Sequence, residues 1–152
     1  MGPRIREVLR DKGSVVHAVE CSTSICDAVL LMNARRVGAL LIEEGGRLGG
    51  ILSERDVLRR VIPQGLDVHH TPVRDVMTTE VLTIRPEHGI KEAMRLMTEK
   101  RVRHLPVADG DRVVGIVSIG DLTKWMSRDL EQEVYDLSSY IAGAYVVRPF
   151  LA

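Results

Sequence analysis

Aromatic side chains are nearly absent: one Trp, three Tyr and one Phe in 152 residues. So few rings leave little with which to stack single-stranded bases or sugars, and the core must be aliphatic. Net charge is also missing, because 21 basic residues balance 21 acidic ones. That argues against a nucleic-acid binder, whose affinity rests on neutralising phosphates. The only cysteines, Cys21 and Cys26, cannot build a disulfide framework or a four-cysteine zinc site. They read as two unlinked thiols in a reducing compartment. No apolar run approaches the ~20 residues that span a bilayer. The start, Met1-Gly2-Pro3-Arg4-Ile5-Arg6, lacks the apolar stretch of a secretory signal, so a cytoplasmic location is expected. A 45% hydrophobic, 28% charged composition is that of an ordinary globular protein. The length suits one domain, or two small halves sharing a core.

What the chain does have is an internal repeat. Shifted by 65 residues, Val16 to Arg60 aligns with Val81 to Trp125 without a gap, and 14 of the 45 positions are identical. The identities include Ile25, Ala28, Met32, Leu40, Gly50, Ile51, Ser53 and Asp56, and six further positions exchange one aliphatic residue for another. The approach segments Ile5-Arg6-Glu7-Val8-Leu9 and Val73-Arg74-Asp75-Val76-Met77 also correspond. Repeats of this length are supersecondary units that need a neighbour to bury their apolar face. Two copies are therefore expected to pack on each other as a pseudo-symmetric pair.

Each copy reads in the same order. A short extended piece (Val15 to Val19, or Val81 to Ile84) precedes apolar residues at helical spacing: Ile25, Ala28, Val29 and Met32, or Ile90, Ala93, Met94 and Met97. Strand-like runs follow at Val37 to Ile42 and Val102 to Val107. Glu44-Gly45-Gly46-Arg47 and Asp109-Gly110-Asp111 supply hairpin turns, since glycine tolerates positive φ. Second strands, Leu48 to Leu52 and Val113 to Val117, lead into helices opening at Ser53 and Ser118. The expected fold is α/β (α+β), with β-α-β-β-α given twice. Residues 5–62 form the first unit, 63–72 the linker, 73–127 the second unit, and 128–152 a helical tail. In that tail Leu130, Val134, Leu137, Ile141 and Ala144 step by 4, 3, 4 and 3, a short apolar seam that packs either on its own module or on a second copy.

Catalytic and metal motifs find no support. Gly45-Gly46-Arg47-Leu48-Gly49-Gly50 lies between two strand-like runs, not between a strand and a helix, so it is a hairpin and not a phosphate loop. His17, His69, His70, His88 and His104 are scattered, with no metal-ligand spacing. There is no Gly-x-Ser-x-Gly elbow, and neither cysteine has an obvious activating neighbour.

The strongest functional candidates are Gly50-Ile51-Leu52-Ser53-Glu54-Arg55-Asp56 and Gly115-Ile116-Val117-Ser118-Ile119-Gly120-Asp121. Ser-x-x-Asp after a strand is close to a helix capping box. The same acid can also accept both hydroxyls of a ribose, beside a helix N-terminus that suits phosphate. The residues alone leave cap and ligand site both open.

Taken together, the repeated pattern, Val73-Arg74-Asp75-Val76-Met77-Thr78, Arg101-Val102-Arg103-His104-Leu105-Pro106-Val107 and both Gly-Ile-x-Ser-x-x-Asp segments resemble a tandem pair of cystathionine β-synthase (CBS) domains, a Bateman module. The resemblance covers about residues 5–127 and extends to stand-alone bacterial CBS-pair proteins with a helical tail. It implies two clefts for adenosyl ligands such as AMP, ATP, NAD or S-adenosylmethionine. By the same resemblance Asp56 and Asp121 would hold ribose, with Ser53 and Ser118 as hydroxyl partners. Gly38, Ala39 and Thr83 would edge an adenine site, while Arg103 and His104, with Arg55, would meet phosphate. Because Arg103-His104 aligns with Gly38-Ala39, the clefts should not be equivalent, and the sequence does not say which aspartate faces Arg103 and His104.

These readings point to a cytoplasmic, non-enzymatic regulatory module that senses energy or redox state. It would require no cofactor, form a homodimer and act on an effector protein absent from this chain. The alternative is an interaction module with vestigial clefts.

Overall fold

The computed structural model describes residues 2–140, with side chains described through Val134. Each repeat is organised by one helix and one hairpin. Helices α2 (Ile25–Arg35) and α4 (Ile90–Lys100) bury Ile25, Ala28 and Met32, and Ile90, Ala93 and Met97, the stripes the spacing predicts. Both helices stop at an arginine in the left-handed region, Arg36 and Arg101, each at φ 54°. That geometry turns the chain into the next strand.

Strands β2 (Ala39–Glu44) and β3 (Arg47–Ser53) form one antiparallel hairpin, and β4 (His104–Asp109) and β5 (Arg112–Ser118) the other. Positive φ at Gly45 (58°), Gly46 (79°) and Gly110 (60°) makes the turns, as expected. Each hairpin carries its register shift at the same place, Ile42/Glu43 and Val107/Ala108.

The repeats part at their first strand. In repeat one, β1 (Ala18–Glu20) runs parallel to β2, flanked by Leu41 N–H to His17 O and Cys21 N–H to Glu43 O, 3.0 and 2.9 Å. In repeat two the expected strand Val81 to Ile84 does not form, and only an isolated bridge remains between Ile84 and Val107. The positions of Leu41 and Cys21 are held there by Pro106 and Pro86. Neither proline has an N–H to donate, so both flanking rungs are lost. The two that survive are Ile84 N–H to Pro106 O and Ala108 N–H to Ile84 O, 3.0 and 2.8 Å.

The approach segments exchange partners. Helix α1 (Ile5–Lys12) precedes repeat one, yet Ile5, Val8 and Leu9 pack with Ile90, Met97, Leu105, Val117 and Leu122 of repeat two. Ile5 N–H reaches His88 O and Ile90 N–H reaches Pro3 O, 3.0 and 3.1 Å. Conversely, the 3-10 turn Val73–Asp75 precedes repeat two but buries Val73 with Ile25, Leu40 and Leu52 of repeat one.

Two aligned glycines make room for this exchange. A Cβ on Gly50 would lie 2.7 Å from both Met77 Sδ and Thr78 O, and one on Gly115 would lie 2.6 Å from Leu9 Cδ2. Here glycine serves close approach of the crossed segment, not a turn.

Ser53 opens α3 (Glu54–Asp56), which continues as a π-helical turn through Val57–Val61. Ser118 leads into α5 (Ile119–Tyr140), a single helix that includes the start of the expected tail. Trp125 Nε1 donates to Asp11 Oδ2 (3.1 Å), tying α5 to α1. Leu130 and Val134 of the seam are 56% and 62% exposed, so they do not fold back on this module. Leu137 and the further seam residues Ile141 and Ala144 lie outside the described side chains.

Candidate functional site

Two clefts lie between the repeats, and each draws residues from both. Cleft one, a cavity of about 240 Å³, sets Ser53 and the α3 residues Glu54, Arg55 and Asp56 opposite Arg101, Val102, Arg103 and His104. Thr78, Glu80, Val81 and Leu82 line it as well. Cleft two, about 300 Å³, sets Ser118 and Asp121 opposite Arg36, Val37, Gly38 and Ala39, with Lys12, Gly13, Val15 and His17 closing one side. The structure thereby pairs Arg103 and His104 with Asp56. His104 and Gly38 border both clefts. Thr83 is exposed and lines neither one, whereas its neighbours Val81 and Leu82 line cleft one.

Asp56 is the one charged residue buried among the described residues, at 8% exposure. A buried carboxylate needs its lone pairs satisfied. Its Oδ2 accepts from the Ser53 amide (2.8 Å) and hydroxyl (3.1 Å), and its Oδ1 from the Thr78 hydroxyl (3.1 Å). In return the Asp56 amide donates to Ser53 Oγ at 3.4 Å. This is the reciprocal capping box that the motif allows. Arg60 stands 3.9 Å from Oδ1, but its hydrogen bonds go to the carbonyls of Val76 and Met77.

Asp121 repeats the box: Ser118 N–H donates to Oδ2 (2.8 Å) and the Asp121 amide donates to Ser118 Oγ (3.1 Å). Its third partner differs, being Lys12 Nζ at 2.5 Å. Burial pushes the Asp121 carboxyl up, but the Lys12 ammonium and the Ser118 amide outweigh that and hold it below the usual carboxylate value. The motif thus forms caps in both repeats.

Cleft one is basic. Arg55, Arg59, Arg60, Arg101 and Arg103 face Glu54, Asp56 and Glu80, so cations exceed anions by two before His104 is counted. Arg55 Nη1 donates to Arg101 O at 2.7 Å, joining the repeats across the cleft. Burial pushes the His104 imidazole below its usual value; Glu54 opposes the shift and Lys12 adds to it. In the ligand-free chain burial thus favours the neutral imidazole of His104 at pH 7.

Sequence reasoning missed Thr78, Glu54, Arg59, Arg60 and Arg101 in cleft one, and Lys12 in cleft two. Arg36 and Arg101 had a signal, being identical between copies just before the strand that lines each cleft. Lys12 had none, since its partner Asp121 is 109 residues away. No group of three or more His, Cys, Asp or Glu side chains that could hold a metal occurs among the described residues.

The geometry accords with known proteins. The family model of the CBS domain matches residues 6–63 and 73–128. The CBS domain-containing protein CBSX3, mitochondrial, of Arabidopsis thaliana is 38% identical over 150 residues, covering 93% of this chain and 73% of that one. The crystal structure of the CBS-domain containing protein ATU1752 from Agrobacterium tumefaciens superposes with a TM-score of 0.78 at 32% identity, covering 82% of this chain and 99% of that one. The CBS domain pair of protein MJ0100, solved with 5′-methylthioadenosine and S-adenosyl-L-methionine, shares the fold at a TM-score of 0.74 and 21% identity, covering 85% and 99%.

Proposed function

This chain belongs to the CBS-domain family, and from that membership we propose that it is a regulatory module binding an adenine nucleotide in cleft one. The observation that carries the reading is the composition of that cleft: a buried, hydrogen-bonded aspartate at a helix start, facing a wall of arginines and one histidine. Asp56 would take ribose hydroxyls in exchange for the Thr78 hydroxyl, a swap of one neutral donor for another. Arg103, His104 and Arg55 would meet phosphate, so AMP, ATP or NAD fits the charge better than a ligand without phosphate. The adenosyl ligands of the MJ0100 pair support a nucleoside in such a fold. Filling the cleft would bias the relative packing of the repeats, which differential binding must do to transmit a signal. No hydrolytic or transfer chemistry is assigned to the chain.

A thermal-shift panel of AMP, ADP, ATP, NAD, NADH and S-adenosylmethionine tests the reading. A true ligand at 100 times its dissociation constant stabilises the fold by ~2.7 kcal/mol. Stabilisation by none of them sinks the reading in favour of a pure interaction module. Release of phosphate, nicotinamide or adenine above a no-protein control contradicts the non-enzymatic part.

Among the described residues no helix is long and apolar enough to cross a membrane. We propose a reducing compartment, the cytoplasm, in which Cys21 and Cys26 stay unlinked thiols. Leu30, Leu58 and Ile62 are exposed by 59–63%, and we assign them to a homodimer contact. Sedimentation as a monomer at micromolar concentration would remove that assignment.

A further inference from the structure

We propose that Lys12 occupies the acid of cleft two from within, so that the chain takes one nucleotide, in cleft one, and Lys12 decides which aspartate is available. This rests on the nucleotide reading of cleft one. In cleft one Thr78 serves two acceptors: its N–H donates to Ile51 O (2.9 Å) and its hydroxyl to Asp56 Oδ1 (3.1 Å). In cleft two the aligned acceptors, Ile116 O and the Asp121 carboxylate, are both taken by Lys12 Nζ, at 2.8 and 2.5 Å. One side chain thus does the work of a backbone rung and a hydroxyl.

The chemistry of the two donors differs. A hydroxyl rotates away and leaves a carboxylate free to accept another hydroxyl. An ammonium that leaves Asp121 separates two charges that are only 31% and 26% exposed, and a neutral ribose diol cannot replace it. The rest of cleft two gives such a ligand less in return: Arg36, His17 and His104 line it, against five arginines and His104 in cleft one. Ile119 and Gly120 stand where Glu54 and Arg55 stand in cleft one, and Gly38-Ala39 where Arg103-His104 stand. Asp121 is therefore already neutralised by the chain itself.

Binding stoichiometry on the full chain, freed of nucleotide and titrated with ATP and separately with AMP, tests this. Wild-type protein is expected to take one equivalent, and Asp56→Asn to weaken that site while Asp121→Asn leaves it unchanged. Lys12→Met is expected to admit a second equivalent, which Lys12→Met/Asp121→Asn loses; Lys12→Arg keeps the ion pair and stays at one. Two equivalents on wild type, or one on folded Lys12→Met, overturns the proposal and leaves the nucleotide reading of cleft one standing. Loss of the single wild-type equivalent in Asp121→Asn, and not in Asp56→Asn, overturns it too. No binding to any variant overturns both. Should Lys12→Met fail to fold, the wild-type count and the two aspartate variants still decide.

Discussion

Cleft one and cleft two are built from aligned residues, yet one presents a buried acid facing arginines and the other an acid already paired with a lysine. The hairpins and caps that frame them are nearly the same. Duplication therefore preserved the frame, and a few substitutions on its rim changed what it offers. The difference teaches that a repeated Ser-x-x-Asp fixes a helix start in both places, while the charge around each acid depends on its neighbours and on what crosses over from the opposite repeat.

The comparison can be broken hardest at the glycines. Gly50→Ala drives a Cβ into Thr78 backbone and Met77 sulfur, and neither can move without shifting the crossed segment. We expect a loss of about 1–3 kcal/mol in denaturant unfolding, typical of overpacking, together with loss of cleft one. Gly115→Ala meets only the tip of Leu9, a flexible end, and should cost under about 1 kcal/mol. Equal losses would mean that the two crossings are equally rigid.

Next in size is the carboxylate itself. Asp56→Asn still caps α3, since its carbonyl can accept, but a ribose hydroxyl then finds a neutral partner. Affinity measured by calorimetry should fall roughly tenfold, ~1.4 kcal/mol, with a much smaller change in stability. A large stability loss with unchanged affinity would make Asp56 a cap alone.

Proton linkage sharpens the contrast further. Asp121 has a lowered pKa in the folded chain, so its contribution is present above the unfolded value near 3.8 and is lost as pH falls through the folded one. The pair is partly exposed, so the effect should stay below about 1 kcal/mol. Wild type should lose this increment on acidification and Lys12→Met should not, as read from denaturation midpoints between neutral pH and pH 3. His104 works in the same sense, in a window nearer neutrality. Its folded pKa lies below 6.5, so the unfolded chain binds the proton first, and stability falls as pH drops below about 6.5. A phosphate beside it would raise that pKa, so AMP binding near pH 7 should take up a fraction of a proton. Calorimetry in buffers of different ionisation enthalpy detects this, and His104→Gln should abolish it. Identical proton uptake in that variant would remove His104 from the phosphate contact.

The repeat, its hairpins and its caps were legible because they rest on local pattern: apolar spacing in α2 and α4, glycines at positive φ, and Ser53 and Ser118 before their acids. The missing strand of repeat two was legible in principle, since Pro86 and Pro106 stand in the sequence, but its cause shows only when the repeats are compared bond by bond. The crossing of α1 was not legible. Ile5, Val8 and Leu9 announce an apolar face without saying which core receives it. The pairing of Asp56 with Arg103 and His104 follows from that packing, as does the reach of Lys12 to Asp121. Both depend on contacts between distant parts of the chain, which no spacing rule encodes.

The crossing also bears on how the chain is made. Val73 and Val76 follow soon after the repeat they complete, so repeat one can close its core once they emerge. Helix α1 is made first but waits for partners up to Leu122, and its links to α5 span 109 and 114 residues. At ~5–20 residues per second of synthesis, its apolar stripe stays uncovered on the order of ten seconds. Such long-range closure slows folding and prolongs exposure to aggregation. A chain arrested before Leu122 would carry one finished core and an amphipathic helix whose apolar stripe is still uncovered.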